Sequence, residues 1–293
     1  MFETKFNEII PNSVELENDL RAALEREEFE LYYQPIIDLR SGQITGMEAL
    51  IRWNHPTRGL ISPADFLPLA NETGLIIPIG DWVVETACAQ ASAWQREFKR
   101  EDDLSITVNI SGRQFQCASL ADSVAIAIER AGLKAENLIL EITEKTMLQN
   151  SVNTQAKLEA LKEIGVRVAI DDFGTGYSSL SYLIRFPLDV LKIDKSFIDR
   201  VCEEREAMAV TRGIITMGHT LRLNTIAEGV ESAEQAEALR VLGCEMAQGY
   251  HFARPMSVTQ MDEFLRRSIE SCKPKANLSE ALQLATVEPA LCL

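Results

Sequence analysis

From Pro63 onward the chain repeats one grammar, a short apolar strand set between longer amphipathic helices. Apolar runs read as strands at Ser105 to Ile110, Leu138 to Ile142, Arg167 to Ile170, Val190 to Ile193, Asn224 to Ala227 and Met246 to Tyr250. Helical periodicity fills the gaps, at Pro63 to Glu72, Gly80 to Phe98, Ser119 to Ala131 and up to Ile164. It continues at about Glu204 to Leu221, from the Ser232 cap to Leu242, and from Ser257. Ahead of these lie a helix from Val14 to Arg26, capped by Ser13, and two more strands, Glu30 to Ile36 and Gln43 to Trp53. The turn at Ser41-Gly42 is short enough to make that pair an antiparallel hairpin. Strands separated by helices, joined by right-handed crossovers, close into a (β/α)8 barrel of the α/β class, modified by its antiparallel first strand. A flat doubly wound sheet is the alternative, but no glycine-rich phosphate loop follows the first strand.

Composition narrows the function classes. At 293 residues and 46% hydrophobic, the chain can bury a large core. Its formal net charge of -15 lacks the basic excess needed to bind a nucleic-acid polymer. A nucleotide remains an acceptable ligand if metal ions supply the positive charge. Cys88, Cys117, Cys202, Cys244, Cys272 and Cys292 are scattered without a CxxC pair, as free thiols of a reducing compartment would be. No secretory signal opens the sequence and no apolar run is long enough for a bilayer, so the expected location is cytoplasmic.

The strand ends carry the chemistry. The run at Arg167 to Ile170 stops at two adjacent acids, Asp171 and Asp172, followed by Gly174 and Gly176, which permit a sharp loop, and by serines that can cap a helix. Taken alone, such a pair is an acidic strand end. However, Glu48 lies in the second strand, Asn109 ends SITVN, Glu141 ends LILE, Lys192 sits in VLKID, Glu228 ends NTIAE, and Gln248 falls in the last strand. In a parallel barrel these positions meet at the carboxyl-end mouth. Glu48, Glu141 and Asp171, with the amide oxygen of Asn109, make an oxygen-rich cage for Mg²⁺ or Mn²⁺, and Asp172 could help hold a second ion. Two ions roughly 4 Å apart activate water and hold phosphoryl oxygens for in-line displacement. Lys192 and Glu228 would position the water, shuttle its proton or complete the metal shell.

These residues lie in a series of motifs: QPI at Gln34, EAL at Glu48-Ala49-Leu50 with Arg52-Trp53, NISGRQF from Asn109, EITE from Glu141 and DDFGTGYSSL from Asp171. PLDVLKID, AEGVE and QGYHFARP follow in order. The set resembles the signature of EAL-domain phosphodiesterases, which hydrolyse cyclic di-GMP. The resemblance implies Glu48, Asn109, Glu141 and Asp171 as metal ligands, Asp172 as a ligand of a second ion, and Glu228 as a further ligand. It implies Lys192 as the contact to the attacking water, Arg52 as the holder of a substrate phosphate, and Gln34, with Leu50 of the EAL triplet, as substrate contacts. Glu231 and Gln248 match further site positions, assigned to catalysis and to substrate binding. Glu144 resembles the glutamate that steadies the DDFG loop, with Gly174 and Gly176, and that links the metal site to a homodimer interface.

The implied activity is hydrolysis of cyclic di-GMP to linear pGpG with two Mg²⁺ or Mn²⁺ ions, Ca²⁺ being inhibitory. The implied division is a helical connector at 1–29, the phosphodiesterase domain at 30–267 and a tail at 268–293. The connector is similar to those following a diguanylate cyclase or sensor module in a longer chain. Two rivals stand beside this reading: a catalytically silent cyclic di-GMP receptor of the same fold, and an unrelated metal hydrolase or lyase on the same barrel. His55, His219 and His251 share no metal-ligand spacing, and Arg113 and Arg254 either see phosphate or guanine or brace loops.

Overall fold

The computed structural model describes residues 15–100, 104–148, 151–174 and 180–272. The expected Ser13 cap, Gly176 and the tail beyond 272 lie outside them. The strands are β1 (Phe29–Asp38), β2 (Ile44–His55), β3 (Gly59–Ile61), β4 (Ser105–Asn109), β5 (Leu138–Thr143), β6 (Arg167–Phe173), β7 (Val190–Ile193), β8 (Asn224–Ala227) and β9 (Met246–Ala247). Their order is β1-β9-β8-β7-β6-β5-β4-β2-β3, and the additional β1–β2 pairing closes the ring. Eight strands form the barrel and β3 hangs outside on β2. β1 runs antiparallel to both neighbours, β2 and β9, while every other adjacent pair in the ring is parallel. The expected modified barrel is therefore present.

Alternation along the strands sorts the side chains into an outer and an inner set. Outward residues such as Val108, Leu140, Val168 and Leu191 join the main core with the surrounding helices. A smaller separate cluster contains Ile36, Ile139, Ala169, Val190 and Ile226, with Met246 packed against it. Two residues nearer the mouth stand Gln34, which precedes Ile36 because β1 runs the other way, and Glu141, Asp171, Lys192, Glu228 and Gln248, which follow their apolar counterparts, the last two just past β8 and β9. The apolar layer floors the barrel and the polar layer lies above it.

The structure departs from the sequence reading where elements are short. β3 was not expected, and neither were the helices Gly112–Gln116, Glu144–Leu148 and Lys195–Ile198, all too brief to express a period, whereas the helix expected after the serines of the DDFG loop is present at Leu180–Arg185. The helix expected at Gly80 begins at Ile76, because Pro78 falls in its first turn, where a missing N–H costs nothing. β6 continues through Asp171 and Asp172 to Phe173 instead of stopping at Ile170. β9 ends at Ala247 rather than Tyr250. Just beyond it Gly249 passes so close to Val230 that only glycine fits, since a Cβ there would lie 2.1 Å from the Val230 carbonyl oxygen.

The N-terminal helix, residues 15–23, packs on the barrel through buried Leu20 and Ala23. Trp53 of β2 donates its indole N–H to Glu28 Oε2 at 2.9 Å, and His55 Nε2 meets Asp19 Oδ2 at 3.1 Å. His55 Nδ1 accepts from the backbone N–H of Thr57 and Arg58, which gives this histidine a structural role. No helix among the described residues is long and apolar enough to cross a membrane.

Candidate functional site

Lys192 organises the polar layer. Its ammonium is 2.5 Å from Glu228 Oε1, 2.6 Å from Glu141 Oε1, and 3.7 Å from both Glu48 Oε2 and Asp171 Oδ1. The side chain is 1% exposed, so four carboxylates share one cation in a nearly dry space. Acid and base shift in the same direction here, for different reasons. Burial pushes Glu141 well above the ordinary carboxylate range; Lys192 opposes this, and Glu48, Asp171 and Glu228 reinforce it. Burial alone would lower Lys192, but the surrounding carboxylates outweigh it and hold the ammonium well above its usual value. Burial, opposed by Lys192, raises Glu228 to about 7.

Glu48 moves the other way. Burial would raise it, yet Lys192 and the amides of Gln248 and Asn109 together lower it. Asn109 Nδ2 donates to Glu48 Oε1 at 2.6 Å, and Gln248 Nε2 donates to Oε2 at 2.6 Å. Strand register delivers these partners: Glu48 of β2 lies opposite Gln34 of β1 and Thr107 of β4, and Asn109 lies opposite Glu141 of β5.

Asp171 and Asp172 occupy an irregular stretch where the β6–β7 register shifts between Ile170 and Phe173. Asp172 has φ 55°, a left-handed conformation uncommon outside glycine, and its N–H donates to Asp171 Oδ1 at 2.9 Å. Burial and the charges of Asp171 and Asp194 raise its carboxyl. Gly174 follows with φ +93°, and its N–H donates to Glu144 Oε2 at 3.0 Å. Glu144 is buried, so the helix Glu144–Leu148 grips the loop leaving β6.

The remaining candidates lie around this centre. Gln34 is buried and donates to Ala253 O at 3.0 Å. Leu50 and Arg52 are half-buried on β2; the Arg52 guanidinium lies 5.4 Å over the Tyr32 ring and donates to Ile51 O. Glu231 is exposed and pairs with Lys195 at 2.5 Å, away from the lysine-centred cluster. Arg113 braces the end of the helix Pro63–Thr73, donating to Asn71 O and Glu72 O. Arg254 covers Tyr250 at 4.2 Å. Sequence reasoning did not anticipate Tyr32 beneath Arg52, Asp194 beside Asp172, or Lys195 on Glu231. The last two sit in the same KIDK run as Lys192, which was the available signal.

Could this site hold a cation? Among the described residues, no group of three or more His, Cys, Asp or Glu is set at ion-holding distances as it stands, because the Lys192 ammonium fills the middle. The donor chemistry nevertheless fits. Glu141 Oε2 and Gln248 Oε1 are buried without a hydrogen-bond partner, and four carboxylates share the Lys192 ammonium. Hard divalent ions take such oxygens.

Residues 17–255 match the EAL domain family. The chain belongs to that family. It is 45% identical over 260 residues to the bifunctional diguanylate cyclase/cyclic di-GMP phosphodiesterase MucR of Pseudomonas aeruginosa, covering 89% of this EAL chain and 38% of MucR. It is 42% identical over 269 residues to the cyclic di-GMP phosphodiesterase NbdA of the same organism, covering 92% and 34%. The solved MucR phosphodiesterase in complex with cyclic di-GMP superposes with a TM-score of 0.80 at 46% identity, covering 84% of this chain and 99% of that one. The chain thus spans little more than a third of the length of these curated relatives, and their names describe larger proteins than this EAL domain.

Proposed function

We propose that this EAL domain is a phosphodiesterase that opens cyclic di-GMP to linear 5'-pGpG with two Mg²⁺ or Mn²⁺ ions. The observation that carries the reading is the convergence of Glu48, Glu141, Asp171 and Glu228 on Lys192 in one buried layer. Glu48, Asn109, Glu141 and Asp171 would hold the first ion, Asp172 would serve the second, and Glu228 would be a further ligand. Bound there, the ions supply Lewis acidity to the phosphoryl oxygens and lower the pKa of water.

The chain's own residues do the rest. Lys192 orients the attacking water through its ammonium, and Glu228 Oε1, 2.5 Å from that nitrogen, accepts or returns the proton. Arg52 leaves the Tyr32 face to meet a phosphate, where its planar fork suits two oxygens. Gln34 and Leu50 are proposed to bound the substrate pocket, and Glu231 its outer edge. The apolar floor keeps bulk water from below.

The loop through Gly174 and Gly176, pinned by Glu144, is proposed to couple turnover to homodimer formation. The boundaries at 29 and 267, an upstream cyclase-like or sensor module and a cytoplasmic setting belong to the same proposal.

The test is turnover after chelation and metal return. Mg²⁺ or Mn²⁺ should restore cyclic di-GMP hydrolysis and Ca²⁺ should not, because its looser shell tolerates the wrong geometry. Equal rates with Ca²⁺ and Mg²⁺ would reject the geometry-sensitive metal pair.

A further inference from the structure

Gln248 stands just past β9 and is 5% exposed. Its amide nitrogen donates to Glu48 Oε2 at 2.6 Å. Chemistry fixes the orientation of that amide, since an ionised carboxylate only accepts and the nitrogen must therefore face it. β1 lies between β9 and β2 in the ring, so this side chain reaches across one strand to bridge the next.

The main chain beneath it is fastened on both sides. Gln248 N–H donates to Ala227 O at 2.9 Å, and its carbonyl accepts from Val230 N–H at 3.1 Å. Gly249 lies against the Val230 backbone so closely that any Cβ would collide. The Gln248 main chain is therefore fixed relative to Glu48, and its side chain starts from a set position. On the opposite side of Glu48, Asn109 Nδ2 donates to Oε1 at 2.6 Å. Each Glu48 oxygen is thus held by its own neutral donor, from β4 on one side and from β9 on the other.

We infer that Gln248 is a positioning residue for Glu48 rather than a substrate contact. With Asn109 it clamps the carboxylate in one rotation, so that the remaining lone pairs face the cation site. Neutral amides do this without adding a competing positive charge. The inference rests on the proposed role of Glu48 as a metal ligand. Residues that orient a ligand from behind are typically worth about 10- to 100-fold in metal affinity.

The experiment replaces Gln248 with methionine, which keeps length and apolar contact but removes the donor. Mn²⁺ affinity is read calorimetrically without substrate, and kcat and KM for cyclic di-GMP are read at saturating Mn²⁺. Gln248→Met should weaken Mn²⁺ binding about 10- to 100-fold while KM at saturating metal stays unchanged. Unchanged Mn²⁺ affinity with a raised KM would make Gln248 a substrate contact and overturn the inference.

In a Glu48→Gln background, Gln248→Met should cost no further Mn²⁺ affinity. A full additive loss there would show that it does not act through Glu48. If Glu48→Gln itself leaves Mn²⁺ binding intact, the metal reading of the site fails. If Glu48→Gln weakens it and Gln248→Met does not, only the positioning role fails. Should Gln248→Met not fold, as judged by its melting in chelator, Gln248→Ala carries the same readings.

Discussion

Lys192 and Glu141 meet at 2.6 Å inside the barrel, with side chains 1% and 0% exposed. Neither charge would be tolerated there alone, because removing one partner of a buried pair leaves the other without compensation. The pair explains why a buried lysine can sit within an otherwise apolar strand, VLKI.

The first prediction follows from this relationship. Lys192→Met should destabilise the metal-free protein by about 3–5 kcal/mol, measured by urea unfolding in chelator. With metal restored, kcat should stay about 10²- to 10⁴-fold below wild type while cyclic di-GMP still binds in Ca²⁺. Full recovery of kcat at saturating metal would reduce Lys192 to charge balance.

A second prediction concerns the loop after β6. Glu144 holds Gly174 N–H with a charge-assisted bond worth about 1.5–3 kcal/mol. Glu144→Ala should lower turnover and loosen any dimer seen by size exclusion, yet leave Mn²⁺ binding at the first site largely intact. Gly174→Ala should do the same by another route, since its φ is +93° and the new Cβ would lie 2.8 Å from the Phe197 ring. Unchanged activity and oligomeric state in both variants would remove the loop from regulation.

How much of this was legible in the sequence depends on length scale. Strands such as LILEIT and RVAIDDF announced themselves because both faces are covered and nearly every residue is apolar up to the acid. The placement of Glu141, Lys192 and Glu228 in one layer followed from the two-residue alternation. What the sequence could not reveal was lateral. Nothing local says that Gln248 reaches Glu48 across β1, or that Glu231 turns to Lys195 rather than Lys192. Those contacts depend on register and on the Gly249–Val230 approach, which only the closed barrel fixes.

The third prediction is an alkaline limb of stability. Burial pushes the Cys88 thiol up to about 12 and the Cys244 thiol up to about 11, from an ordinary 9.0. A raised acid binds its proton more tightly when folded, so its contribution is complete below pH 9 and is lost as pH climbs through 9 toward 11 or 12. Each is worth roughly 3–4 kcal/mol at full loss. Urea midpoints at pH 8 and pH 10 should fall less in Cys244→Ala than in wild type. An equal or steeper fall in the variant would assign the alkaline loss to other groups.

Hydrolysis, rather than mere retention of the ligand, is the activity proposed for this EAL domain. The most direct measurement incubates the purified chain with cyclic di-GMP and Mg²⁺ or Mn²⁺ and separates the products chromatographically. Metal-dependent conversion to linear 5'-pGpG is expected, abolished by Asp171→Asn. Binding of cyclic di-GMP with no pGpG formed at any metal concentration would contradict it and leave a receptor.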